Sequence, residues 1–275
     1  MKLFKPEMVF FDYGGTLFSD SHVTDDTAAH AIATICGVGD TVDADTLREI
    51  KVRWREMINF SHYTNPEQEF DCEFPVSSML RCITDLTGLT PPSDMVEAEY
   101  GFHCHNATHT PMPYIEELLS TLSSKGIRTG VISNNALSGP GLELFLKNNI
   151  SHRFEICVTS ADYIYCKPCP LLFEAVCRRV GVDPKNCWYC GDNAHPDILG
   201  SHQAGMQGIL VDPTADSPSS VKTYRNVEYL CVSSWKHLIE VLRDGDEGRG
   251  EGVHLRPRAR RQAPRGDAQD RGEAA

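Results

Sequence analysis

The sequence predicts an α/β fold: a doubly wound parallel sheet of Rossmann-like type, interrupted by an inserted helical segment. Three observations predict it. A short apolar run, Met8 to Phe11, ends at Asp12 and a double glycine. From Pro111 onward, helical and strand patterns alternate. Between them, from Asp20 to Thr110, there are helical patterns and no convincing strand.

Taken in order, Met8–Phe11 is short and wholly apolar, as a strand buried on both faces should be, and Gly14-Gly15 makes the turn after it. Leu47, Ile50, Trp54, Met57 and Ile58 fall on one face at helical spacing over 46–59, with Asp43 or Asp45 as cap. Helices are also expected over 72–86 and 93–105, separated by Gly88 and Pro91-Pro92. Then Ile115, Leu118, Leu119 and Leu122 mark a helix, 130–133 a strand, and Leu142, Phe145 and Leu146 a helix. Residues 156–158 read as a strand, Leu172, Val176 and Val180 as a helix, and 187–190 as a strand ending in Gly191-Asp192. A helix at 198–205, a strand at 208–211 and a final helix carrying Trp235, Leu238, Ile239 and Leu242 complete the set. Alternation of this kind builds a parallel sheet with helices on both faces. The expected division is a core of residues 1–19 and 111–243, a helical insertion of 20–110, and a disordered basic tail of 244–275. The tail has no aromatics after Asp244 and too little apolar surface to order itself.

Net charge is −12 over 275 residues. The segment from Gly248 onward carries seven Arg against four acidic residues, so the body is more acidic still. That balance argues against a general nucleic-acid binder. It suits a site that receives an anionic substrate through a metal. No stretch approaches the roughly 20 apolar residues of a membrane span, and the N-terminus lacks a signal-peptide plan. Eleven cysteines in a chain of this size read as reduced thiols in a cytoplasmic protein.

In parallel α/β sheets, ligands bind at the carboxyl ends of the strands, and Asp12, Ser133 and Asp192 all fall there. A carboxylate at a strand end is a competent nucleophile when a metal neutralises the incoming anion. Asp192 supplies a second hard oxygen of the kind Mg2+ prefers. Ser133 and the loop after it offer a hydroxyl and N–H groups for phosphate oxygens, and Lys167 a positive charge.

Four segments carry a resemblance. Phe11-Asp12-Tyr13-Gly14-Gly15-Thr16-Leu17, Val131-Ile132-Ser133-Asn134-Asn135, Lys167-Pro168-Cys169-Pro170 with Phe173, and Gly191-Asp192-Asn193-Ala194-His195-Pro196-Asp197 resemble, in order, the four motifs of the haloacid dehalogenase superfamily. The resemblance spans roughly residues 8–212 and makes the insertion a helical cap. It implies that Asp12 attacks phosphorus to form an aspartyl-phosphate, with Ser133 and Lys167 assisting. It implies that Asp12, the carbonyl of Gly14 and Asp192 hold Mg2+, and that Gly15, Thr16, Ser133, Asn134 and Lys167 contact phosphate. Asp197 would hold Lys167 or a metal-bound water. The implied partner is a small phosphorylated metabolite.

One position departs from the pattern. Phosphatases of this superfamily usually carry a second Asp two residues after the nucleophile, as acid and base; here it is Gly14. Tyr13, His22 or His62 could supply the proton. Alternatively the reaction is carbon–phosphorus cleavage with Lys51 as a Schiff-base lysine, a metal-free dehalogenation, or none, leaving a phosphate-binding or interaction protein. Cys166-x-x-Cys169 and Cys187-x-x-Cys190 match a zinc-ribbon spacing, but Cys187 and Cys190 should point to opposite faces of a strand. His103, His105 and His109 read as polar residues of a hinge where the insertion returns to the core.

Overall fold

The computed structural model describes residues 3–61 and 71–247. Its strands are β1 (Met8–Phe11), β2 (Phe18–Asp20), β3 (His109–Pro111), β4 (Arg128–Ser133), β5 (Ile156–Thr159), β6 (Cys187–Gly191), β7 (Gln207–Val211), β8 (Ser219–Tyr224) and β9 (Val227–Val232). Its α-helices are α1 (Asp25–Ile35), α2 (Ala44–Ser61), α3 (Val76–Thr87), α4 (Met95–Asn106), α5 (Ile115–Ser124), α6 (Gly139–Asn149), α7 (Ser160–Tyr163), α8 (Pro170–Val180), α9 (Gly200–Gln203) and α10 (Trp235–Glu247). Seven strands form one sheet in the order β5-β4-β1-β6-β7-β9-β8. Every pairing is parallel except the β8–β9 hairpin at the edge.

β1 explains the layering. Its residues are buried and alternate between faces. Val9 and Phe11 pack with Leu118, Leu119, Leu142, Trp235 and Leu238 of α5, α6 and α10. Met8 and Phe10 pack with Leu172, Phe173 and Val176 of α8. The predicted doubly wound α/β fold is therefore observed. Cys187 joins the Met8 face and Cys190 the Phe11 face, so they cannot converge on one metal, and all eleven cysteines are free thiols.

The insertion holds α1 to α4 between β2 and β3, whose antiparallel ribbon pairs Asp20 with His109. Helix α2 is capped by Asp43, which accepts from the Thr46 N–H at 2.9 Å. Helix α1 was not expected: its buried face is mostly alanine, Ala28, Ala29, Ala31 and Ala33, and gives little hydrophobic contrast. The short ribbon and the β8–β9 hairpin were not expected either. Between β6 and β7, the helix expected at 198–205 begins earlier, as a π-helical turn over Ala194–Leu199. Helix α10 runs to Glu247, past the expected core boundary at 243; residues 248–275 and His62 lie outside the described residues. Among the described residues, no helix is long and apolar enough to cross a membrane.

Candidate active site

Three neighbouring strands deliver the site. Asp12 follows β1, with its backbone N–H bonded to the Cys190 carbonyl of β6 at 2.9 Å. Asp192 follows β6, and Ser133 ends β4, 1% exposed. Asp12, Asp192 and Asp197 each present a carboxylate oxygen within 4.8 Å of the others. The strand ends thus bring together Asp12 and Asp192, and the π-helical turn adds Asp197.

Lys167 is the centre of this cluster. Its side chain is 1% exposed. Its Nζ lies 2.9 Å from Asp12 Oδ1 and 2.7 Å from Asp197 Oδ1, and it donates to the Tyr189 hydroxyl at 2.8 Å. Burial alone would lower its pKa, but the carboxylates of Asp12 and Asp197 outweigh burial and hold it above its ordinary value. Tyr189 in turn donates to the Ile132 carbonyl at 2.6 Å. Sequence reasoning missed Tyr189; the only signal was a hydroxyl-bearing residue within an apolar strand. Asp197 is fully buried, and its Oδ2 accepts from the N–H groups of Asp192 (3.1 Å) and Asn193 (2.9 Å). Its oxygens are spent on Lys167 and the β6 loop, so it fixes the positions of groups on both sides.

Other expected residues lie at the site with altered contacts. The Asn134 side chain accepts from the Lys167 N–H at 2.6 Å and donates to the Lys167 carbonyl at 3.1 Å. It clamps the lysine's backbone, which leaves only its own backbone N–H for a phosphate. The Gly15 N–H bonds the Phe18 carbonyl at 2.7 Å. Gly15 is required for another reason: its φ is +65°, and a Cβ there would lie 2.2 Å from Asp192 Oδ2. Thr16 is fully buried and its hydroxyl has no partner among the described residues, while its carbonyl accepts from Trp235 Nε1 at 2.9 Å. A Cβ on Gly14 would meet nothing within 4 Å, so the position of the customary second Asp opens onto space.

The alternative proton carriers fall elsewhere. Tyr13 is buried, with its hydroxyl among His103, His109 and Asp20. His22 is exposed. Lys51 of α2 is ion-paired at 2.5 Å with Asp26 of α1.

The acidic set fits a hard cation. Burial, and then the charge of Asp12, raise the pKa of Asp192 above the ordinary carboxylate value, since both disfavour its charged form. A divalent cation held by carboxylate oxygens relieves that repulsion.

Comparison with known proteins bears on the family and the fold. The family model described as haloacid dehalogenase-like hydrolase matches residues 6–205. A glyceraldehyde 3-phosphate phosphatase of Methanopyrus kandleri is 27% identical over 86% of this chain and 97% of its own length. A protein of the same name from Methanothermobacter thermautotrophicus is 38% identical, over 37% of this chain and 45% of its own length. Among solved structures, a HAD phosphatase from Thermococcus onnurineus superposes with a TM-score of 0.54 at 18% identity, covering 90% of this chain and all of that one. A 2-haloacid dehalogenase from Pseudomonas syringae also gives 0.54, at 21% identity over 87% of this chain and 99% of its own. At such identities the structures speak for the fold alone.

Proposed function

Because the chain belongs to the haloacid dehalogenase-like hydrolases, we propose that it is a Mg2+-dependent phosphatase acting on a small phosphorylated metabolite, with Asp12 as nucleophile. The observation that carries this reading is the buried ammonium of Lys167 held between Asp12 and Asp197, beside Asp192. The phosphatase names of the relatives favour phosphate esters over halides. Phosphonate cleavage through Lys51 is disfavoured because that ammonium is already paired with Asp26. Free cysteines suit a reducing compartment such as the cytoplasm.

Asp12, Asp192 and the Gly14 carbonyl would hold Mg2+, which when bound neutralises the charge on the transferring phosphoryl group. Lys167 holds Asp12 Oδ1, so the other carboxylate oxygen attacks phosphorus. The P–O ester bond breaks and an aspartyl-phosphate forms. Ser133 binds a phosphoryl oxygen, and the positive charge of Lys167 offsets the phosphoryl charge without a direct bond. Water then attacks the acyl-phosphate, releasing phosphate and restoring Asp12. Because position 14 has no carboxyl, the departing oxygen takes its proton from water. Activated leaving groups therefore suffer least. The α1–α4 insertion acts as a cap that excludes bulk water and selects substrate.

The test is hydrolysis of an aryl phosphate by the purified full chain, with Mg2+ or chelator, beside Asp12→Asn. Turnover that needs both Mg2+ and Asp12 is expected. Turnover indifferent to Asp12 would overturn the mechanism.

A further inference from the structure

A second cluster of metal-ligating groups lies at the hinge, away from the three acidic residues. Tyr13 follows the nucleophile, Asp20 ends β2, His109 begins β3 and His103 lies on α4. The Tyr13 hydroxyl is 2.9 Å from His103 Nε2, 3.1 Å from His109 Nδ1 and 3.3 Å from Asp20 Oδ1. His109 Nδ1 is 2.8 Å from the same Asp20 oxygen. The Asp20, His103 and His109 donors all fall within 4.8 Å of one another.

We propose that Asp20, His103 and His109, with Tyr13 as fourth donor, form a tetrahedral transition-metal site suited to Zn2+. Donors about 2.0 Å from a tetrahedral metal stand about 3.3 Å apart; four of the six donor separations here are 2.8–3.3 Å, and the two from His103 to Asp20 and His109 lie within 4.8 Å. The donor set, two imidazoles with carboxylate and phenol oxygens, is one that zinc accepts and Mg2+ does not favour. His109 Nε2 bonds the His103 carbonyl at 2.7 Å. A liganding histidine is ordinarily fixed in this way, by its second nitrogen donating to a carbonyl or carboxylate. The Asp20 side chain is 30% exposed and His109 6%, so the rim at Asp20 gives an entry path. A metal here would staple the β2–β3 ribbon and α4 to the residue beside Asp12, fixing the cap's hinge against the catalytic loop. This site does not rest on the phosphatase reading.

The test uses chelator-treated full chain in excess Mg2+, which saturates carboxylate sites, titrated with Co2+ as spectroscopic probe. One equivalent with the intense visible bands of tetrahedral cobalt is expected, without thiolate-to-cobalt charge transfer, and displaced by Zn2+. The bands should persist in Asp192→Asn, vanish in His109→Gln, and lose affinity by about tenfold or more in Asp20→Asn. Asp20→Asn changes a single atom at the rim and serves if the His109 variant does not fold. Only weak octahedral bands, a thiolate signature, or unchanged cobalt affinity in Asp20→Asn would overturn the site and leave the cluster a hydrogen-bonded hinge.

Discussion

The Nζ of Lys167 lies 2.9 Å from Asp12 Oδ1 while also bonding Asp197 and Tyr189. One buried cation thus lies between two carboxylates, one of them Asp12, the proposed nucleophile.

Lys167→Met should therefore fail in two ways. It leaves Asp12 and Asp197 facing each other in a buried site, at a cost of about 3–5 kcal/mol in folding stability. It also abolishes Asp12-dependent turnover. Denaturant melts and aryl phosphate kinetics check both. Lys167→Arg should not rescue, because a planar guanidinium cannot reproduce three contacts made from one nitrogen. A stable, active Met variant would contradict the central role of this lysine.

Gly14 is the position where the sequence and the proposed chemistry conflict, and the structure makes the conflict testable. A Cβ there meets nothing within 4 Å, and Gly14 is not among the residues of positive φ. Gly14→Asp should fold normally and supply the missing acid. Turnover of an alkyl phosphate should rise by up to about 10²–10⁴-fold, with little change for an aryl phosphate. The measurement is the ratio of kcat/KM for the two substrates. A ratio unchanged from the parent would show that Gly14 is not where the acid is lacking.

Much of this candidate site was legible because Asp12 and Asp192, the proposed nucleophile and metal ligand, lie at the ends of apolar runs. Met8–Phe11 and Cys187–Cys190 are apolar enough to read as buried strands, and Asp12 and Asp192 follow directly. What was not legible depends on contacts across strands. Nothing in the sequence shows Tyr189 beside Lys167, since β6 lies two strands from β4, whose carbonyl Tyr189 uses. Likewise Asn134 and Gly15 look like phosphate binders until Asn134 is seen clamping Lys167 and Gly15 is seen crowded against Asp192. The β8–β9 hairpin was hidden because β8 is a partly exposed edge strand without apolar alternation. Its turn, Arg225-Asn226, takes positive φ at both residues without glycine.

Gly15→Ala tests how tightly the first turn is fitted to Asp192. The added methyl would lie 2.2 Å from Asp192 Oδ2, in a backbone conformation that L residues rarely adopt. Asp192 must move. The Mg2+ concentration for half-maximal activity should rise by about tenfold or more, on the pattern of residues that orient metal ligands. Mg2+ titration of activity checks this, and an unaltered Mg2+ requirement would mean that Asp192 is not a ligand.

Glu99 couples the cap to the core and predicts a pH dependence of stability. It lies on α4, nearly fully buried, and accepts from the N–H of Ser138 at 3.1 Å and from the Ser138 hydroxyl. Ser138 caps α6, directly beyond the Ser133–Asn135 loop. Burial raises the Glu99 pKa more than the Ser138 bonds lower it. The native state therefore holds this proton more tightly than the unfolded chain does. Its contribution to stability is fullest below the unfolded value of about 4.3 and is lost as pH climbs through the raised folded value. Asp192 and Asp197 shift in the same direction, so the quantity to read is the difference between wild type and Glu99→Gln. Over that window the wild-type denaturation midpoint should fall with pH more steeply than the variant's. Parallel profiles would mean that the buried carboxylate of Glu99 does not couple protonation to cap docking.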